Sequence, residues 1–241
     1  EMGEGGGTNR AVYFRPTDGS PATLIGEGEG NSLSHDGRWA ISRAVRAKGA
    51  LTVLPTGVGT PRKLEPEGLR GELRGRFFPD GRRLVIDESL PGEATRVFTV
   101  PIEGGKPIPL GRPGFTLPDF GSPVSPDGRS VALLDPEGKA VVCPVDGGPA
   151  APLPGIEPGE IPMQWTADGR FLYACRGGSL PAKIFKIELE TGRRELVREI
   201  VLSDAAGVAS LERVQITPDG SFVAYAYRRN LASLSVVSGL K

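Results

Sequence analysis

Ser125-Pro126-Asp127-Gly128-Arg129-Ser130-Val131-Ala132-Leu133-Leu134 joins a tight corner to a short apolar run, and the corner returns four more times along the chain. The other copies are Ser34-His35-Asp36-Gly37, Phe78-Pro79-Asp80-Gly81, Thr166-Ala167-Asp168-Gly169 and Thr217-Pro218-Asp219-Gly220. Successive aspartates lie 44, 47, 41 and 51 residues apart, which is the period of propeller blades. Proline presets the backbone for the second position of a type I turn, and glycine takes the left-handed conformation that closes the hairpin. Aspartate at this place accepts backbone N–H groups that would otherwise lack a partner. His35 and Ala167 stand where three copies have proline, which loosens the preset angle and leaves the glycine in place.

An apolar run of strand character follows each corner: Trp39 to Ile41, Leu84 to Ile86, Val131 to Leu134, Phe171 to Ala174 and Phe222 to Tyr227. Third strands are expected at Leu51 to Leu54, Val97 to Ile102, Ala140 to Val145, Ile184 to Leu189 and Leu234 to Val237. A second turn at Gly57, Gly104, Gly147 and Gly192 follows the corner aspartates by 21, 24, 20 and 24 residues. Fourth strands then fit at Pro61 to Leu64, Pro107 to Leu110, Ala151 to Leu153 and Glu195 to Val197. Two hairpins per repeat make a four-stranded blade. Ala11 to Phe14 and Thr23 to Ile25, turning at Asp18-Gly19, fit a third and fourth strand with no corner before them.

The sequence therefore predicts an all-β chain, a β-propeller of four-stranded antiparallel blades, five to six in number with the first incomplete. It is expected to be one domain over residues 1–241, with a partial blade at 10–26 and blades at about 31–66, 73–111, 119–154, 161–199 and 213–241. The six-bladed reading has the first blade missing two strands encoded upstream, because the chain opens at Glu1 followed by Gly5-Gly6-Gly7 and reads as a piece of something longer. Arg193 to Leu202 could form a helical turn or two, although Thr191-Gly192 before it reads as a hairpin turn.

Composition narrows the function classes. The 35 glycines and 23 prolines among 241 residues would point to disorder without a period, and with one they mark a turn-dense β protein. Lys plus Arg equals Asp plus Glu at 29 each, so no long-range field draws in nucleic acid or an anionic membrane. No stretch approaches the roughly 20 apolar residues of a membrane span. Arg38, Arg82, Arg129 and Arg170 follow the corner glycine in four repeats and read as solvated turn residues or local ion pairs. Cys143 and Cys175 have no metal or redox spacing; they read as two small buried residues, and whether they are bonded stays open.

The chemistry-bearing patterns do not assemble into a site. His35 is the only histidine and lies inside a corner between Ser34 and Asp36, where neighbouring side chains point in different directions and no pocket orients the ring. Asp119-Phe120-Gly121 spells a kinase magnesium tripeptide without the catalytic or glycine-rich loops that accompany it; it reads as the entrance to the first strand of the repeat bearing Asp127. Gly26-Glu27-Gly28-Glu29-Gly30 and Gly138-Lys139 lack the spacing of nucleotide loops. A ring would spread the five corner aspartates too far apart to share a calcium ion. Glu157 and Glu160 read as part of a solvated connection between blades. No catalytic, cofactor-binding or metal-binding residue is assigned, and no cofactor is expected.

The corner and its flanking strands resemble the TolB-type, WD40-like repeat of bacteria, whose signature is Ser-Pro-Asp-Gly followed by Lys or Arg. Ser125 to Arg129 matches it fully and the other four copies in part. Rings of that kind serve as adaptors, periplasmic scaffolds, sensor regions and substrate-gating domains of peptidases. A narrower likeness covers Val214-Gln215-Ile216-Thr217-Pro218-Asp219-Gly220, Tyr225-Ala226-Tyr227-Arg228-Arg229 and Ser238-Gly239-Leu240-Lys241, which resemble the end of large bacterial serine/threonine kinases. It implies a non-catalytic sensor or interaction region outside the cytoplasmic membrane, with a protein or peptide partner on a rim or in the central channel, no nucleic acid, and no membrane insertion of this segment. The alternatives are a TolB-like envelope scaffold and the gating propeller of a prolyl-oligopeptidase-like hydrolase, whose catalytic domain would lie outside this chain.

Overall fold

The computed structural model describes residues 2–3, 10–44, 48–119, 121–178 and 180–230. Those residues hold twenty strands and no helix. Consecutive strands pair antiparallel into six meanders. The first is β1 (Met2–Gly3), β2 (Ala11–Phe14) and β3 (Thr23–Glu27); the second is β4 (Glu29–Leu33), β5 (Trp39–Arg43), β6 (Leu51–Pro55) and β7 (Arg62–Leu64). The third is β8 (Glu72–Phe77), β9 (Arg83–Ser89), β10 (Arg96–Pro101) and β11 (Ile108–Leu110). The fourth has β12 (Ser130–Leu134), β13 (Ala140–Pro144) and β14 (Ala151–Pro152). The fifth has β15 (Glu160–Trp165), β16 (Phe171–Arg176), β17 (Ala182–Glu188) and β18 (Arg194–Ile200), and the sixth β19 (Val208–Ile216) and β20 (Val223–Arg229).

Alternation along the second strand of each sheet shows how the sheets stack. In β9, Leu84 and Ile86 join an apolar cluster with Ile41, Leu51 and Val53 of the second sheet, while Val85 between them joins Val131, Leu133 and Val141 of the fourth. In β12, Val131 and Leu133 face the third sheet and Ala132 faces Trp165 and Leu172 of the fifth. Tyr173 and Cys175 of β16 in turn meet Leu211, Val214 and Ile216 of the sixth. Val12 of the first sheet packs on Ala40 and Leu54 of the second. A strand whose side chains alternate between two different neighbours is sandwiched, which is why these runs are apolar on both faces. The sixth sheet faces the first across a cleft whose walls include Val12, Phe14, Gln215 and Tyr225. The result is a β-propeller.

The corners share one set of bonds. In each, the glycine N–H reaches back to the carbonyl three residues earlier, at 2.8 to 3.0 Å, and the glycine φ lies between 65° and 74°. Where the corner opens with Ser or Thr, its hydroxyl donates to the aspartate, 2.6 Å from Ser125 to Asp127, and accepts the N–H five residues on, 2.9 Å from Ser130. The same pair of bonds occurs at Ser34, Thr166 and Thr217. Phe78 offers no hydroxyl, and Asp80 takes the N–H groups of Arg82 and Arg83 with the Arg83 side chain instead.

One expectation needs correction. The run from 119 toward Asp127 does not form a regular first strand; it makes isolated bridges, Ser122 to Gln164 in parallel and Val124 to Val131 antiparallel. Pro118 and Pro123 have no N–H for a ladder, and Thr116 takes the pairing with Leu134 instead. The fourth strand read at Glu195 to Val197 is present as β18, and the helical alternative over Arg193 to Leu202 is not taken. The third strand expected at Leu234 to Val237 lies outside the described residues.

Candidate functional site

The innermost strands converge on the ring axis, where they line a cavity of about 430 Å³. Its walls come from β4 (Glu29 and Asn31), β8 (Arg74 and Arg76), Asp119 before β12, and residues 210–213 of β19, with Arg43 at the end of β5. Period-two alternation explains the arginines: Leu73, Gly75 and Phe77 turn toward the second sheet, so Arg74 and Arg76 share the opposite face. Gly75 allows the approach, since a Cβ there would stand 3.1 Å from Leu51. In β19 the pairing slips between Leu211 and Arg213, a bulge of the kind that re-aims side chains.

Most of the charge in this mouth is matched. Arg74 binds Asp87 at 2.5 Å and Asp119 at 2.7 Å, and the buried Asp87 also accepts the Leu117 N–H. Burial works against the Arg74 cation, but the bonds to Asp87 and then Asp119 hold its pKa above the ordinary arginine value. Arg43 bridges Glu29 and, at 3.1 Å, Glu72. Glu212 is taken by Arg228 at 2.7 Å. Arg76 differs. Only 5% exposed, it donates to the carbonyls of Gly75 and Asp119, each at 3.0 Å. Burial, then the neighbouring Arg74, lowers its pKa to about 10.

The sequence-flagged residues are dispersed. The Ser34 hydroxyl is committed to Asp36 and to the Trp39 N–H, and His35 is exposed on the outside of the turn. The corner aspartates are held by their own turns, and the hydroxyl bond lowers the pKa of Asp36, Asp127 and Asp168, that of Asp219 to about 2. Cys143 and Cys175 are free and buried, with burial raising each thiol to about 11. Gly138-Lys139 forms a hairpin turn between β12 and β13. Asp119 reaches the channel through Arg74, Glu29 lies in its wall, and Phe120 falls outside the described residues. Glu160 corrects the solvated-loop expectation: it is buried, pairs with Arg194 at 2.7 Å and accepts the Glu157 N–H. Among the described residues no three His, Cys, Asp or Glu side chains gather as a metal site.

Sequence reasoning missed the arginine pair. The signal was present in Glu72-Leu73-Arg74-Gly75-Arg76-Phe77, where two arginines at i and i+2 share one face of a strand whose other face carries Leu73 and Phe77.

No protein-family model matches the chain, and no curated protein matches it either. Solved structures do. TolB from Acinetobacter baumannii aligns with a TM-score of 0.65 at 16% identity, over 91% of this chain and 54% of that one. An oligogalacturonate lyase from Vibrio parahaemolyticus aligns at 0.59 and 16% identity, over 89% and 63%. A chain of a nidogen/laminin complex aligns at 0.57 and 18% identity, over 78% and 72%. The chain thus spans about half of the TolB chain and under two thirds of the lyase. The shared feature is the TolB-like propeller fold, which hosts both enzymes and interaction proteins.

Proposed function

We propose that this chain is a non-catalytic propeller that binds a protein or peptide at its axial mouth, as the sensory end of a bacterial serine/threonine kinase outside the cytoplasmic membrane. The observation that carries the binding role is the concave mouth itself, built by polar side chains from three separate sheets and from the segment before β12, while the serine, histidine and aspartates that could have done chemistry are engaged in turns or exposed away from it. The C-terminal likeness quoted above supports the kinase context. A second reading, a TolB-like envelope scaffold, is favoured by the TM-score of 0.65 to TolB.

The reading frame upstream of Glu1 separates them. A kinase domain followed by a single membrane span supports the sensor; an envelope leader with no kinase moves the assignment to the scaffold. Hydrolase or lyase turnover by the purified chain overturns both.

A further inference from the structure

Among the described residues, two guanidiniums in the axial mouth make no ion pair. Arg43, Arg74 and Arg228 account for Glu29, Asp119 and Glu212. Among the described residues no acidic group pairs with Arg76 or with Arg213 on the opposite wall. Arg76 is the costlier of the two. Its cation is 95% removed from water, and the carboxylates whose fields favour it, Asp87 and Asp119, are bonded to Arg74 rather than to it. Arg213 adds to that cost, because its field also works against the Arg76 charge. Arg76 and Arg213 line one cavity from different elements, and guanidinium is the group suited to two-oxygen recognition of an anion.

We propose that the mouth binds a carboxylate, whose oxygens are taken by Arg76 and Arg213. The three carboxylates in the wall decide the class of anion. The lining sets Arg43, Arg74, Arg76 and Arg213 against Glu29, Asp119 and Glu212, one positive charge in excess, which a single carboxylate balances and a phosphate dianion overshoots. The cavity of about 430 Å³ admits an acidic side chain or a chain terminus, and a small free dicarboxylate as well. Delivery of the carboxylate by a peptide rests on the interaction role proposed above; the carboxylate site itself does not.

The test is an arginine Nε–Hε NMR titration of the purified chain at constant ionic strength, with glutarate, with phosphate, and with a glutamate-containing peptide beside its glutamine counterpart. Saturable shifts at the Arg76 and Arg213 resonances with glutarate are expected. Arg213→Gln, at an exposed position that leaves the fold intact, is expected to weaken binding about tenfold to a hundredfold, the effect of one charge-assisted hydrogen bond. Arg76→Lys assigns the second resonance. The site is overturned by glutarate leaving both resonances unmoved at millimolar concentration, or by Arg213→Gln binding as well as the parent. Phosphate binding more tightly than glutarate overturns the carboxylate assignment. Glutarate binding without the acidic peptide sustains the site and refutes the peptide-binding role of the mouth.

Discussion

Gly121→Ala strikes the seam between the fourth and fifth sheets, where the inner segments touch backbone to backbone. Gly121 has φ near 88°, and a Cβ on it would stand 2.0 Å from the carbonyl oxygen of Met163. That carbonyl also accepts the Ser122 N–H at 2.7 Å, so the clash cannot be relieved without losing the bond. Left-handed strain contributes about 1 kcal/mol, and the lost bond with its stranded N–H about 2 kcal/mol more. The expected destabilisation is about 3 kcal/mol. Gly138→Ala is the matched control, because Gly138 has φ near 78° and nothing within 4 Å of its would-be Cβ; strain alone gives about 1 kcal/mol. At roughly 2–4 °C per kcal/mol for a chain of this size, thermal unfolding should separate the two by about 4–8 °C, and urea midpoints should shift in parallel. Equal effects of the two substitutions would refute the close approach at Met163 and with it the seam.

Three further outcomes are expected. The corner aspartates have pKa values below the ordinary 3.8, that of Asp219 about 2. Their contribution is therefore complete above about pH 4 and lost as pH falls toward 2; urea titrations across that window should show stability declining, with a shallower slope in Asp127→Asn. Glu160→Ala leaves the Arg194 side chain, 19% exposed, with Glu157 at 3.1 Å in place of its closest carboxylate and should cost about 2 kcal/mol by denaturant unfolding; an effect below about 1 kcal/mol contradicts a structural role for the pair. Cys143 and Cys175, buried with thiols near 11, should resist a disulfide reagent in the native protein and react once denaturant is added; prompt native-state reaction of both contradicts their placement.

The ring was legible because its determinants are local. Each corner carries its own proline, aspartate and left-handed glycine, so Asp127 and its four counterparts mark the phase without reference to the rest of the chain. The hydroxyl at the head of the corner was equally local but went unread: Ser125 and Thr166 do as much for the turn as the aspartates they bond. The irregular entry to β12 was obscured because a proline-rich stretch can still bridge a neighbour at single residues, as Ser122 does to Gln164. The axial mouth was out of reach for a different reason. Glu29, Arg76, Asp119 and Arg213 become neighbours only when sheets far apart in sequence close on one axis, and nothing near Arg76 in the chain indicates that it makes no ion pair.

Radial stacking of the sheets is tested most directly by methyl-to-methyl nuclear Overhauser contacts from β9. Ile86 should see Ile41 and Leu51 of the second sheet, while its neighbour Val85 sees Val131 and Val141 of the fourth. Contacts from both residues to the same sheet, or none from Val85 to β12 and β13, would contradict a propeller.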